Sequence, residues 1–363
     1  MTTEASTVFH PAAGTTHKAA AAARSVSLWL IGCAGMVFAM AIIGAITRLT
    51  ESGLSITEWR PITGIIPPLT EAQWLVEFEK YRQIPEYKYV NRGMSLDEFK
   101  FIFFWEWFHR LWGRLIGIVF AVPFVWFWAT GRLTPKLKSR GLLLLALGGL
   151  QGFMGWFMVQ SGLTERTDVS HYRLAMHLSL AFVIFAALLW VAFDTLDPRP
   201  KGHAVPAAAR LRRHLWWSLA LVSATVVWGA FVAGLNAGFA YNTWPLMNGV
   251  FAPAEMWNLS PAALNLVENT AAVQFTHRWL AILTALVIWA YAWRALRAGV
   301  TDQGRRLAIA LAAAIGGQVL LGISTLLTVV WLPVAAAHQG GALVVIALII
   351  WALHELKRPA PAA

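Results

Sequence analysis

Glu106-Trp107-Phe108-His109-Arg110-Leu111-Trp112-Gly113-Arg114 runs out of a polar connection into a long apolar stretch. On a helix Glu106 and His109 are three apart and share one face. Gly113, one turn below His109, leaves a shallow groove beside the imidazole. The residues that follow, to about 128, suffice to cross a hydrocarbon core of ~30 Å. An acid, a metal-ligand residue type and a bare surface thus stand at the mouth of a membrane helix.

That helix is one of eight apolar spans, at roughly 27–46, 104–128, 140–160, 174–193, 214–235, 273–293, 306–328 and 334–354. The 363-residue chain is 58% apolar and 13% charged, about half the charge of a soluble domain. An all-α polytopic membrane protein follows. Cys33 is the single cysteine, which excludes a disulfide framework and a cysteine zinc site. No Cys-x-x-Cys-His occurs, so any haem is held non-covalently.

A net charge of +11 invites a nucleic-acid reading, but its distribution argues against one. The side that carries both termini holds 17 of the 29 Lys and Arg residues and only five acids (Glu4, Asp194, Asp197, Asp302, Glu355). Short basic loops alternating with acidic ones are the positive-inside pattern. Both termini are therefore expected in the cytoplasm of a bacterium, with the chain in its inner membrane among lipid. The alternative is the mitochondrial inner membrane, against which stands a first segment with only Lys18 and Arg24 as basic residues.

Residues 1–26 read as a disordered tail. A first bundle is expected over 27–193, with an outer loop at 47–103, then a linker at 194–213, a second bundle over 214–358 and a tail at 359–363. Inside the outer loop, Thr70-Glu71-Ala72-Gln73 is a capping box. Trp74, Phe78 and Tyr81 follow at i, i+4 and i+7, the pattern of an amphipathic helix on a membrane surface. Ser95-Leu96-Asp97-Glu98 is a second capping box and starts the second membrane helix well outside the bilayer. The other outer loop, 236–272, reads as ordered but non-helical.

The chain repeats itself. Ile43-Gly44-Ala45 echoes Trp228-Gly229-Ala230, and Phe108-His109-Arg110 matches Thr276-His277-Arg278. Gln151 to Gly155 matches Gln318 to Gly322, and Ala175-Met176-His177 matches Ala336-Ala337-His338. Each half spans the membrane four times, so both have one orientation and the pseudo-twofold axis lies along the membrane normal. The expected architecture is eight transmembrane helices as two pseudo-symmetric four-helix bundles.

Of ten histidines, four open the even-numbered spans: His109, His177, His277 and His338. In an up-down bundle the second and fourth helices are diagonal, so His109 faces His177 and His277 faces His338 across a gap that a porphyrin fills. Gly113, Ala181, Ala281, Gly341 and Ala342 lie on the same faces. Two bis-histidine haem sites follow. A lone histidine at a helix mouth is more often a hydrogen-bonded interfacial residue, and it is the fourfold recurrence that argues for ligands. His171 reads as a loop residue, and His10, His17, His203, His214 and His354 as solvated.

The repeat also breaks symmetry, for Glu106 becomes Gln274 in the second half. Glutamine keeps the hydrogen bonding but exchanges no proton, which leaves acid–base chemistry to the first site. The structural alternative is an ion pair of Glu106 with Arg110. Arg110, Arg114, Arg173 and Arg278 flank the same mouths and are candidate propionate contacts.

Together, Thr47-Arg48-Leu49-Thr50-Glu51-Ser52-Gly53-Leu54-Ser55, Glu106–Arg114, Tyr172-Arg173-Leu174-Ala175-Met176-His177, Gln274-Phe275-Thr276-His277-Arg278, Gly322-Ile323-Ser324-Thr325-Leu326 and Ala337-His338-Gln339 resemble heme A synthase, closest to its mitochondrial and alphaproteobacterial branch. The resemblance covers about 28–358. It implies that heme O is hydroxylated twice at its C8 methyl, giving a formyl through a gem-diol, for cytochrome oxidase biogenesis. It further implies His109 and His177 on the substrate haem, Glu106 as catalytic residue, and His277 and His338 as iron ligands of a heme b cofactor. Some members carry a cysteine pair in the first outer loop. This chain has none, so a thiol relay is excluded. The farnesyltransferase that makes heme O is a functional partner on this reading, and a homo-oligomer is compatible with it. The histidine pattern alone equally permits a diheme b-type electron-transfer protein, and a haem transporter or chaperone would bind without conversion.

Overall fold

The computed structural model describes residues 13–60, 62–164, 166–196 and 207–357. Among them there is no strand, and eight helices are long and apolar enough to cross a membrane. These are α1 (Ala13–Leu49), α4 (Leu96–Ala129), α5 (Pro135–Thr164), α6 (His171–Leu196), α7 (Ala208–Gly234), α9 (Thr270–Arg297), α10 (Asp302–Leu327) and α11 (Leu332–Glu355). The short α2 (Glu71–Arg82), α3 (Pro85–Tyr89) and α8 (Asn265–Glu268) lie in the long connections. The chain is thus an all-α polytopic membrane protein.

Several boundaries differ from expectation. Helix α1 begins at Ala13, so residues 13–26 extend the first span as helix in place of the expected tail. An Ala-rich run has high intrinsic helix propensity and continues the apolar helix backwards. Residues 1–12, positions 197–206 of the 194–213 linker and residues 358–363 lie outside the described residues, as do His10 and His203. The 236–272 connection is ordered but not devoid of helix. It contains single turns at Ala237–Phe239, Ala254–Trp257 and Ala262–Leu264 besides α8.

Both capping boxes form. Thr70 accepts from the Gln73 amide and Ser95 from the Glu98 amide, each with the reciprocal side-chain bond. Helix α4 therefore has 34 residues, about 50 Å at 1.5 Å per residue. Its first turns stand beyond the ~30 Å core. There α2 packs on it: Phe78 and Tyr81 are buried against Phe99, and Trp74 meets Phe103 edge-on at 5.0 Å. The apolar face expected on lipid is consumed by α4.

Neighbours follow one order in both halves. In the first, α1 packs on α4, α4 on α5, α5 on α6 and α6 on α1. In the second, α7 packs on α9, α9 on α10, α10 on α11 and α11 on α7. This ring puts α4 diagonal to α6, and α9 to α11. The halves join through α1–α11, α6–α7 and α6–α11. Gln339 Nε2 donates to the Ala41 carbonyl at 2.6 Å, and Gly340 lets α11 approach Ile42 where a Cβ would collide. One apolar core, including Leu30, Leu188, Leu343 and Leu353, runs through both halves.

Helices α1 and α7 also end alike. Glu51 and Asn236 each take φ 52° two residues beyond the helix, the left-handed turn that closes a helix C-terminus. Each turn then carries the chain back over the loop-rich end of its half.

Candidate functional site

In the first half, the returning chain is hooked onto α4 by one carboxyl group. Glu106, 3% exposed, accepts from Ser55 Oγ at 2.8 Å, the Ile56 amide at 2.6 Å and Arg110 Nη2 at 2.5 Å. Arg110 also donates to the carbonyls of Ile56 (2.9 Å) and Glu58 (3.0 Å). The ion pair with Arg110 is therefore present, and the carboxylate and guanidinium together fasten residues 55–58. Lys80 reaches the Glu58 carboxylate from α2 and, as its hydrogen-bond donor, lowers the pKa of Glu58.

The second half repeats the construction with a neutral group. Gln274 is 2% exposed. It accepts from Arg278 Nη2 at 2.7 Å and donates to the Ala237 carbonyl at 2.6 Å. Arg278 donates to the carbonyls of Tyr241 (2.6 Å) and Thr243 (2.9 Å). Its Nε is buried without a partner. The first mouth thus holds a compensated ion pair, the second a guanidinium with neutral acceptors.

One turn further along α4 and α9 stand His109 and His277, and on α6 and α11 stand His177 and His338. The His277 and His338 rings have centroids 6.5 Å apart and planes at 86°. His109 and His177 lie within electrostatic range of each other. All four rings rest on glycines of neighbouring helices. A Cβ built on Gly44, Gly155, Gly229 or Gly322 would meet Cε1 of His109, His177, His277 or His338 at 3.2, 3.1, 3.0 and 2.9 Å respectively. The small residues expected beside the rings on the histidines' own helices do something else. Gly113 faces Met40, and Gly341 faces the Gln318 side chain. Spacing along one helix does not reveal a cradle supplied by another. The recurrence of Gly44 as Gly229 and of Gly155 as Gly322 is the signal that carries it.

The second pair fits axial ligation of an iron macrocycle. Two imidazoles bound on opposite faces through metal–nitrogen bonds of about 2 Å have ring centroids roughly 6 Å apart. His277 Nδ1 lies 3.1 Å from the Thr225 carbonyl. A carbonyl only accepts, so Nδ1 carries the proton and Nε2 presents a lone pair, the usual arrangement of a metal-bound histidine. Gln151 and Gln318 take equivalent places beside His177 and His338. Each amide nitrogen bonds that histidine's carbonyl (3.1 and 2.9 Å) and lies 3.3 or 3.2 Å from Nδ1, where it would donate, so the Nε2 lone pair is fixed by a carbonyl at His277 alone. His109 Nδ1 is buried without a partner. Among the described residues no group of three or more His, Cys, Asp or Glu gathers as a metal cage, and a histidine pair is one of the ligand sets that hold a haem iron.

The remaining assignments divide. Arg114 donates to the Arg60 carbonyl at 3.0 Å, and Arg173 to the Phe157 carbonyl at 2.6 Å while lying over the Phe157 ring. His171 is not a loop residue. It opens α6, is 2% exposed and packs on Tyr172 and Phe231. His214 is not solvated, since its Nε2 lies 2.9 Å from the Val287 carbonyl, and His354 lies 3.3 Å from Asp194. Basic and aromatic neighbours make these ends look wetter in sequence than helix packing leaves them. Ser55, Ile56 and Thr225 fix the site through backbone groups or long-range bonds, and no sequence period marks them.

Residues 27–350 match the sequence model of the COX15-CtaA family, described as cytochrome oxidase assembly protein. The chain is 66% identical over 349 residues to a heme A synthase of Rhodospirillum centenum, covering 96% of this chain and 92% of that one. It is 49% identical to a heme A synthase of Parvibaculum lavamentivorans (92% and 95% covered) and 48% identical to one of Nitrosospira multiformis (92% and 94%).

Proposed function

The chain belongs to the COX15-CtaA family of cytochrome oxidase assembly proteins, and we propose on that footing that it is a heme A synthase, an oxidoreductase acting on heme O. The C8 methyl of heme O is hydroxylated twice, a four-electron oxidation at the expense of an external oxidant, and the resulting gem-diol loses water to leave the formyl group of heme A. The substrate haem lies in the first half between His109 and His177. His277 and His338 of the second half would hold a heme b, which would supply one-electron redox chemistry when bound. The loop-rich end faces away from the cytoplasm, in a bacterial inner membrane.

The observation that carries this reading is one mouth built twice, with a carboxylate in the first half where the second has a neutral amide. Both mouths have the same loop hook, the same arginine and the same glycine-cradled histidine pair. Only Glu106, against Gln274, is able to take up or release a proton beside the reacting haem. Ser55, Ile56 and Arg110 hold its oxygens at fixed positions, so the proton is exchanged at a defined point and not by a mobile side chain. The glycines let the rings sit close to the helix backbones and leave the space between the diagonal helices to the macrocycle. Arg278, with its unpartnered Nε, suits a propionate. Arg110, whose donors serve Glu106 and the loop, suits one less well.

A diheme electron carrier is the competing function. Purified protein incubated with heme O and a reductant–oxygen system separates the two. Extracted haems resolved by chromatography are expected to contain heme A or its hydroxylated precursor beside heme b. Heme b alone at two equivalents, with heme O untouched, would support the carrier instead.

A further inference from the structure

Glu106 and Glu86 are the two buried carboxyl groups among the described residues, at 3% and 4% exposure. They come from different elements, Glu106 from α4 and Glu86 from the five-residue α3 that packs on α2 and α5 over the first half's mouth. Glu106 is closed in by Ser55, Ile56 and Arg110. A group so enclosed cannot exchange protons with water directly, yet an acid–base residue must be reset in every turnover.

Glu86 has the properties of the missing intermediary. Its Oε2 is buried without a hydrogen-bond partner, a costly state that native proteins seldom keep without a reason. Around it stand Tyr81 of α2, Glu106 of α4, Glu51 of the turn after α1, Asp168 before α6 and Arg48 of α1. Burial first, and then the fields of Glu106, Glu51 and Asp168, push Glu86 up to about 9. It therefore keeps its proton at neutral pH. Tyr81, whose hydroxyl accepts from Asn91 at 2.8 Å, fixes the neighbourhood. Glu51 is exposed, and the Asp168 side chain is 38% exposed, so two of the charged groups that act on Glu86 meet water.

We propose that Glu86 is the proton carrier between buried Glu106 and water at the loop-rich end. The role rests on the heme A synthase reading. When Glu106 has given its proton to the reaction, Glu86 passes one to it, becomes a carboxylate and recovers a proton from water past Glu51 and Asp168. When Glu106 takes a proton up, the sequence runs backwards. One proton enters for each that leaves, and no electrons move.

The test is the rate of heme O conversion between about pH 6 and pH 10 by full-length protein carrying its haem, for wild type, Glu86→Gln and Glu86→Asp. Glutamine matches the neutral acid in shape, so a purely structural role would leave the rate unchanged. The proposal expects Glu86→Gln to convert roughly 10-fold or more slowly with unaltered haem content and absorption spectrum. It also expects wild type to fall in rate through about pH 9, Glu86→Gln to lack that alkaline fall, and Glu86→Asp to recover part of the rate. Equal rates and equal pH profiles in wild type and Glu86→Gln would overturn the relay and leave the enzyme reading standing. No heme A from wild type would overturn both. Should Glu86→Gln fail to accumulate, Glu86→Leu, which carries no ionisable group, decides instead, since an unchanged rate and alkaline limb there would overturn the proposal.

Discussion

Replacing Glu106 by glutamine is expected to stop heme A formation while leaving haem bound and the protein folded. The second half already shows that glutamine is accepted at this place, because Gln274 sits at the equivalent position. There it keeps the bond from its arginine and hooks the returning chain at the Ala237 carbonyl. In Glu106→Gln the amide oxygen still accepts from Arg110, while the amide nitrogen replaces the oxygen that accepts from Ser55 Oγ and the Ile56 amide, so two hydrogen bonds are lost at about 1 kcal/mol each. Proton exchange, by contrast, disappears entirely. Positioned acid–base groups contribute about 100- to 10,000-fold, so the rate should fall by that range. Stopped incubations resolved by chromatography should show heme O or a hydroxylated intermediate accumulating. A rate within a few-fold of wild type would remove Glu106 from the chemistry and leave it as half of an ion pair.

Arg110→Met is expected to be the most destabilising single change at either mouth. It leaves a carboxylate buried beside an apolar side chain, and it removes the donors to Ile56 and Glu58. Breaking one member of a buried ion pair costs about 3–5 kcal/mol. The matching change Arg278→Met abandons only neutral acceptors, which costs about 1–3 kcal/mol. Thermal unfolding in detergent should therefore rank Arg110→Met below Arg278→Met. Limited proteolysis should find the 50–60 segment opened in the first variant alone. Equal midpoints for the two would mean that Glu106 carries no charge for Arg110 to compensate.

These contrasts depend on a symmetry that is legible in the amino-acid sequence itself. Eight apolar runs, two capping boxes and the recurrence of His109 as His277 and His177 as His338 are local or periodic signals, and the helices follow them. The exchange of Glu106 for Gln274 is equally plain in the repeat. What stays hidden is whatever depends on distant backbone. Ser55 and the Ile56 amide reach Glu106 across about fifty positions, and the Thr225 carbonyl orients His277 across a similar span. The glycine cradles belong to helices other than the histidines' own. Glu86 lies in a five-residue helix between Pro85 and Tyr87 and looks like any surface acid. Its burial follows from how α2 and α3 fold down on α4 and α5. The burial of His171 and the partial burial of His214 are hidden for the same reason, since partners outside their own segments decide them.

The central claim is a division of labour, with the substrate haem in the first half and the resident haem in the second. His109→Ala and His277→Ala, each purified after exposure to heme O, test it through the identity of the haems retained. His109→Ala is expected to keep heme b and to contain neither heme O nor heme A. His277→Ala is expected to lose heme b while still binding heme O. Retention of heme O by His109→Ala together with loss of its heme b would reverse the assignment of the two sites and contradict the account.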